Sequence, residues 1–262
     1  MNRRLFVLCI SLAIALSLVS TRNASAQTDP PGVDRTHYWT YHLENPVLHF
    51  DNAAVRDQFF LGYVSIQVDS LARLVNWVMK DNSPVRDTIL HYTWWNINTK
   101  LPNRASAILR NQFGNFPIDI GDLDFMLVPA TKNYPAPAPP QANHYLCYHA
   151  QGPAPPPIGH DLRDEWRVDY QSVGPLQFIC VPCWKQHHGI VFPPVDTLTH
   201  LAVYAIQPAS ERFAASLQDQ FFPNYNLALQ DGDEYLMVPS IKELIPTDVK
   251  RSTWGRIKQI YR

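Results

Sequence analysis

The stretch from His144 to Lys185 reads HYLCYHAQGPAPPPIGHDLRDEWRVDYQSVGPLQFICVPCWK, and its three landmarks recur along the chain. The first is a histidine followed four residues later by an aromatic: His37/Tyr41, His91/Trp95, His144/Tyr148 and His200/Tyr204. The second is an acid or amide pair with an aromatic: Asp57-Gln58-Phe59, Asn111-Gln112-Phe113, Asp164-Glu165-Trp166 and Asp219-Gln220-Phe221. The third is a closing lysine, at Lys80, Lys132, Lys185 and Lys242, with Pro129, Pro182 and Pro239 three residues before the last three and Trp77 in that place in the first. Histidine and triplet lie 20, 20, 20 and 19 residues apart, and the histidines are separated by 54, 53 and 56. A fixed period of this size marks tandem structural units.

Inside each unit apolar residues alternate with polar ones, the period of a half-buried strand. His37, Trp39 and Tyr41 share one face of a first strand, with Tyr38 and Thr40 on the other. A second strand ends at the triplet, with Val55, Leu109, Leu162 and Leu217 each two residues before its acid or amide. Val64/Ile66/Val68, Ile118/Ile120, Val168/Tyr170 and Leu227/Leu229 mark a third strand, and a fourth runs into the lysine. Gly121-Asp122, Gly174-Pro175 and Asp231-Gly232 separate third from fourth strands, as hairpin connections do. The fold class expected is all-β, with about four strands per unit and so about sixteen in all. The longest interruption, Asn133 to Asn143, holds Pro135, Pro137, Pro139 and Pro140 and reads as a stiff spacer. It divides the chain into a paired-repeat β-sandwich or barrel-like domain at 27–132 and a second at 144–245. The rival, a four-bladed β-propeller, would be interrupted by a proline-rich spacer between its second and third blades.

With those motifs in place, the chain resembles an uncharacterised family of secreted bacterial and archaeal repeat proteins whose units read H-x-x-C-Y, D-Q-F and L-C-x-P-x-x-K. The third unit is the nearest match, and the fourth matches without its cysteines. The first two have drifted, with Trp94-Trp95 replacing Cys-Tyr and Asn76-Trp77 replacing the proline region. The resemblance implies paired units and brings no activity with it.

Arg3 and Arg4, the apolar run Leu5 to Val19 and then Ala24-Ser25-Ala26 follow the order of a secretory signal peptide, so residues 1–26 are expected to be removed before Gln27. The run is shorter than the roughly 20 residues of a membrane span, and no later segment reaches that length, so no transmembrane segment is expected. The mature chain is expected in the periplasm or outside the cell. Losing Arg3, Arg4 and Arg22 takes the basic residues from 22 to 19 against 23 acidic ones, a net charge of −4, which excludes a generally basic nucleic-acid binder. Residues 246–262 alone carry +4 and form a basic tail. Its Trp254, Arg256, Lys258 and Arg262 are candidates for contact with an anionic surface or partner.

No nucleophile elbow, zinc-protease helix or phosphate-binding glycine loop is present, so no catalytic residue and no cofactor is assigned. A histidine at one register in every unit belongs to packing, because a single metal needs a single constellation. Cys147, Cys180 and Cys183 lie near His149, His187 and His188, and this set could bind zinc. Export favours a disulfide instead. Cys147 and Cys180 appear together in the third unit and vanish together elsewhere, where the equivalents are Thr40/Val75, Trp94/Leu127 and Val203/Met237. The expected pair is Cys147–Cys180, with bonds from either to Cys183, or a metal, as alternatives. Asp119, Asp122 and Asp124, and Asp231, Asp233 and Glu234, are read as solvated turns, since neither set follows a calcium loop. Trp94, Trp184, His187 and His188 stand where units differ, so they are the candidate binding residues, with the alternative for Trp94 that it fills the core in place of a Cys147-type bond. The function expected is a secreted non-enzymatic binding or structural module for an extracellular glycan or protein; the alternative is a secreted metal-dependent hydrolase using the Cys/His-rich third unit.

Overall fold

The computed structural model describes residues 30–245 apart from 34–35, 86, 100, 134–141, 208–211, 222–224 and 231–233. The leader 1–26, most of the spacer, Asp231, Asp233 and the tail with Trp254, Arg256, Lys258 and Arg262 lie outside the described residues. Among the described residues the chain forms strands and no helix. The strands are β1 (His37–Arg56), β2 (Val64–Lys80), β3 (His91–Ile97), β4 (Ala105–Asn111), β5 (Gly114–Lys132), β6 (His144–Gln151) and β7 (Gly159–Arg163). Then come β8 (Val168–Ser172), β9 (Leu176–His187), β10 (Ile190–Phe192), β11 (His200–Ile206), β12 (Phe213–Gln218), β13 (Tyr225–Gln230) and β14 (Glu234–Leu244). They number fourteen, not about sixteen, because β1, β2 and β5 each fuse two expected strands and β10 is an additional short one. The first unit bends through register shifts, between His42 and Val47 and between Leu48 and Asp51, instead of through loops.

The all-β class stands, and every pairing is antiparallel. First and fourth strands of successive units pair in the order β1–β2–β3–β5–β6–β9–β11–β14 and return to β1, closing a ring of eight strands. Closure removes the free edges that an open sheet would expose. In the ring β5 pairs directly with β6, so strands before and after the 133–143 spacer in sequence share one sheet. The expectation for the paired units is two β-sandwich or barrel-like domains, whereas strands of the two pairs hydrogen-bond to one another.

The middle strands of each unit form a hairpin that leaves the ring and pairs with a lysine strand two units away. Val55 lies opposite Lys185, Leu109 opposite Lys242, Leu162 opposite Lys80 and Leu217 opposite Lys132. The four positions that align before the triplets therefore meet the four closing lysines in one register.

Alternation then gives the ring two faces. Tyr38, Val75, Tyr92, Trp94, Phe125, Leu127, Tyr145, Cys147, Phe178, Cys180, Leu201, Val203 and Met237 form one cluster. Trp94 on β3 meets Tyr235 on β14, its ring centroid 5.6 Å away, although these strands are not neighbours. Such contacts across the ring place this cluster inside it. Trp39, Tyr41, Trp95, Tyr148 and Tyr204 face the other way and pack with hairpin residues such as Val55, Ile66, Leu109 and Leu217. The expected split of the first strand into two faces is seen. In the third unit, however, Val168 and Tyr170 are exposed, because β8 is an outer strand with a single partner, β7. The Tyr170 ring lies over Gly159, where an added Cβ would come within 2.2 Å of it.

The prolines also find a physical reason. Pro129, Pro182 and Pro239 stand opposite Tyr92, Tyr145 and Leu201 on one side. On the other side the neighbouring strand's pairing stops two residues earlier, at Leu127, Cys180 and Met237. A residue without N–H sits there without breaking a ladder bond.

Cys147 and Cys180 face each other across β6 and β9 inside the ring and are disulfide-bonded, while Cys183 is a buried free thiol. Reducing a bond that closes a sequence separation of 33 residues is expected to cost between about 2 and 4 kcal/mol. Because both strands are ring members, the loss should lower the urea midpoint of the whole chain in one step, read by fluorescence and circular dichroism together. Two separated transitions, only one of them sensitive to reductant, would contradict a shared ring.

Candidate functional site

The repeated polar residues lock units together. Each triplet acid or amide uses one oxygen to accept the backbone N–H of its own aromatic: Asp57 from Phe59, Asn111 from Phe113, Asp164 from Trp166 and Asp219 from Phe221. Its other terminal atom reaches the first-strand aromatic two units away. Tyr148 donates to Asp57 at 2.6 Å, Tyr41 to Asp164 at 2.5 Å and Trp95 to Asp219 at 2.9 Å, while Asn111 donates to Tyr204 at 2.9 Å.

The triplet glutamine reaches the histidine of the unit before it, as Gln112 does His37, Gln220 does His144 and Gln58 does His200. The triplet aromatic lies under that same unit's lysine. Lys80 stands over Phe113, Lys132 over Trp166, Lys185 over Phe221 and Lys242 over Phe59. Burial pushes Lys132 down to about 8 and Lys185 and Lys242 down to about 7, partly offset by the carboxylates of Asp164, Asp219 and Asp57. The first residues of the triplets and the lysines are buried, and their contacts run from unit to unit.

The candidate binding residues fall in two places. Trp94 is buried inside the ring, stacked on Phe125 at 3.3 Å between centroids with the Arg73 guanidinium 5.2 Å from its ring. It belongs to the core and not to a surface. Trp184, His187 and His188 lie together at the end of β9, where β1 flanks it on one side and β10 on the other. Trp184 is half-buried opposite Arg56, whose guanidinium lies 4.6 Å from the indole and 5.3 Å from the Tyr63 ring.

His187 pairs with Ile190, so His188 and Gly189 form a two-residue turn with φ of 48° and 79°. Positive φ at both central residues is the turn that suits the twist of a hairpin, and histidine is among the few side chains that tolerate it. The exposed His188 ring lies 3.9 Å from that of buried His187, tilted by 25°. His187 packs edge-on against Phe221, and its Nε2 shares a hydrogen bond of 2.7 Å with Asp51 Oδ2. Burial lowers the His187 pKa against the pull of Asp51. Burial raises the Asp51 carboxyl, and the hydrogen bonds from His187 and from the Asn52 backbone outweigh it, leaving the group below its ordinary value.

Asp51 was not among the residues read from the sequence. It lies outside every triplet and 136 positions from His187, so only the fold brings it here. The cysteines, by contrast, join no ligand group with histidines among the described residues: two are in the disulfide, and Cys183 is buried opposite His144. Asp119, Asp122 and Asp124, expected in a hairpin turn, lie instead within the continuous strand β5, where Asp119 accepts from the Ser106 hydroxyl and Asp122 from the Asn103 backbone.

Residues 91–238, more than half of the chain, match the family described as a repeat of unknown function (DUF7450). The chain belongs to this family. No curated protein and no solved structure matches the chain. In this member of the repeat family the match begins on the histidine of the second unit, so His187 and His188 lie inside it and Asp51 outside.

Proposed function

We propose that this chain works outside the cytoplasm as a non-catalytic binding module, a locked ring that holds one rim against an extracellular glycan or protein. One observation carries the reading: the first residue of each triplet bonds the first-strand aromatic two units away, and each closing lysine lies over a neighbouring unit's triplet aromatic. Side chains free to meet a ligand are left where the units differ. The disulfide and the order of residues 1–26 support an oxidising, exported setting. No described helix is long and apolar enough to cross a membrane. A hydrolase built on cysteine ligands finds no support, since the cysteines are bonded or buried.

The rim is Trp184 with His188, supported from beneath by His187 and from the side by Arg56. An indole presents a broad rigid face at low entropic cost, suited to a sugar ring or a partner's side chain. The basic tail supplies a second, electrostatic contact that attaches or sorts the module. The double variant Trp184→Ala/His188→Asn, in which asparagine tolerates the left-handed turn, is expected to lose about 2 kcal/mol of binding, or some thirtyfold, when retention on extracellular polysaccharides and on cell-surface protein fractions is compared with the parent. Its melting should hardly move, because neither side chain is fully buried. Unchanged retention on every such surface would remove the rim from the reading.

A further inference from the structure

We propose that Asp51, His187 and His188 form a site for one divalent transition-metal ion, joining the first-unit hairpin to the end of the third-unit lysine strand. A carboxylate oxygen and one nitrogen from each imidazole all lie within 4.8 Å of one another. Three protein donors around one point, two nitrogens and one oxygen, make a half-shell that suits zinc, iron, nickel or copper and not calcium or magnesium, which prefer oxygen alone. Ligands held about 2.0–2.2 Å from a metal stand about 3 to 3.5 Å apart, so His187 Nε2 and Asp51 Oδ2, now 2.7 Å apart, need to spread by less than about 1 Å. The ion takes the place of the hydrogen between those atoms, and the neutral imidazole keeps its proton on Nδ1.

The turn adds an independent observation. His188 holds a left-handed backbone, φ 48°, in a position that asparagine or glycine fills at lower cost, and this conformation lays its ring over His187. A plain turn gives no reason for that ring. A second nitrogen donor does. His188 is exposed, so the shell remains open on its solvent side, and coordination positions are left for water or a donor group of a ligand. The ion would also tie β1 to β9, strands from units on opposite sides of the spacer.

The proposal does not depend on the binding-module reading, and its test uses the metal alone. The full chain, stripped with chelator, is titrated with zinc chloride by calorimetry, and its melting is followed with and without zinc. The expected result is one zinc per chain, with affinity at least tenfold weaker in Asp51→Asn and in His188→Asn. Asparagine tolerates the left-handed turn, so His188→Asn should melt with the parent in the absence of metal and lose only the zinc-induced shift. His149→Ala, which removes an exposed histidine 3.6 Å from Asp124 elsewhere on the surface, should bind zinc as the parent does. A parent that takes up no stoichiometric zinc overturns the site. So does a His188→Asn variant with parental zinc affinity.

Discussion

Replacing Asp164 with alanine is expected to lower the unfolding free energy by about 4 kcal/mol, a large share of the 5–15 kcal/mol typical of folded chains. The reason is the number of donors that converge on one buried carboxylate. Oδ2 accepts from the Tyr41 hydroxyl at 2.5 Å and from Asn76 Nδ2 at 2.9 Å, and Oδ1 accepts from the backbone of Trp166 at 2.8 Å and of Arg167 at 3.0 Å. Alanine leaves these donors without the carboxylate that satisfied them, each buried donor that stays unpaired costing about 1–3 kcal/mol. It also removes a negative charge that supports Lys132. Tyr41→Phe, which deletes a single donor and leaves the carboxylate its other partners, should cost only about 1 kcal/mol. Urea unfolding of the three proteins reads both values. An Asp164→Ala loss under 1 kcal/mol would mean that the triplet is not what fastens the units.

That lock explains which parts of the fold could be read along the chain and which could not. The registers were legible because each repeated residue has one job in all units. Thr40 faces Val75, Trp94 faces Leu127, Cys147 faces Cys180 and Val203 faces Met237, the same equivalences that alignment of the units gives. The disulfide pairing follows from that register. What the repeat conceals is the partner of each triplet. Tyr41 could meet its own Asp57, yet it meets Asp164, two units on, because each hairpin crosses to the opposite lysine strand. A sequence period records that units are equivalent and says nothing of which unit touches which. The proline-rich spacer misleads for the same reason, since it bounds a pair of units without saying whether strands pair across it. At the rim, His187 and His188 stood out by departing from the repeat. Asp51 did not, because its role depends on the bend that the register shifts of β1 create. Trp94 departed from the repeat for a core reason, filling the ring interior where the third unit has its disulfide.

Acidification should unfold this chain early, through buried bases whose protonated forms the interior disfavours. Burial, reinforced by Lys132, lowers His91 to about 3, and burial with Lys242 lowers His200 to about 3. Burial holds Lys132 at about 8 and Lys242 at about 7, with Asp164 and Asp57 opposing. All four folded values lie below the unfolded ones, so between the two the unfolded chain carries more protons and stability rises with pH. The histidine contribution is fully present above about 6.5 and is lost as pH falls toward 3. The lysine contribution is complete above about 10.4 and is lost as pH falls toward 7 to 8.

Asp57 works against this trend at the acid end, because burial raises its carboxyl and the folded chain then holds its proton longer. Tyr41 and Tyr148, raised by burial and by the neighbouring Asp164 and Asp57, cap the alkaline side, since the unfolded chain ionises its tyrosines first. Each group contributes up to about 1.4 kcal/mol per pH unit across its window. Taken together, the loss between pH 8 and pH 5 should reach about 3 kcal/mol or more, read as a falling urea midpoint. His200→Gln keeps an amide near Gln58 and removes one titrating base, so its midpoint should fall less steeply below pH 6.5 than the parent's. A parental midpoint that stays level from pH 8 to pH 5 would show that these bases are solvated in the folded chain and that the lock is looser than its distances imply.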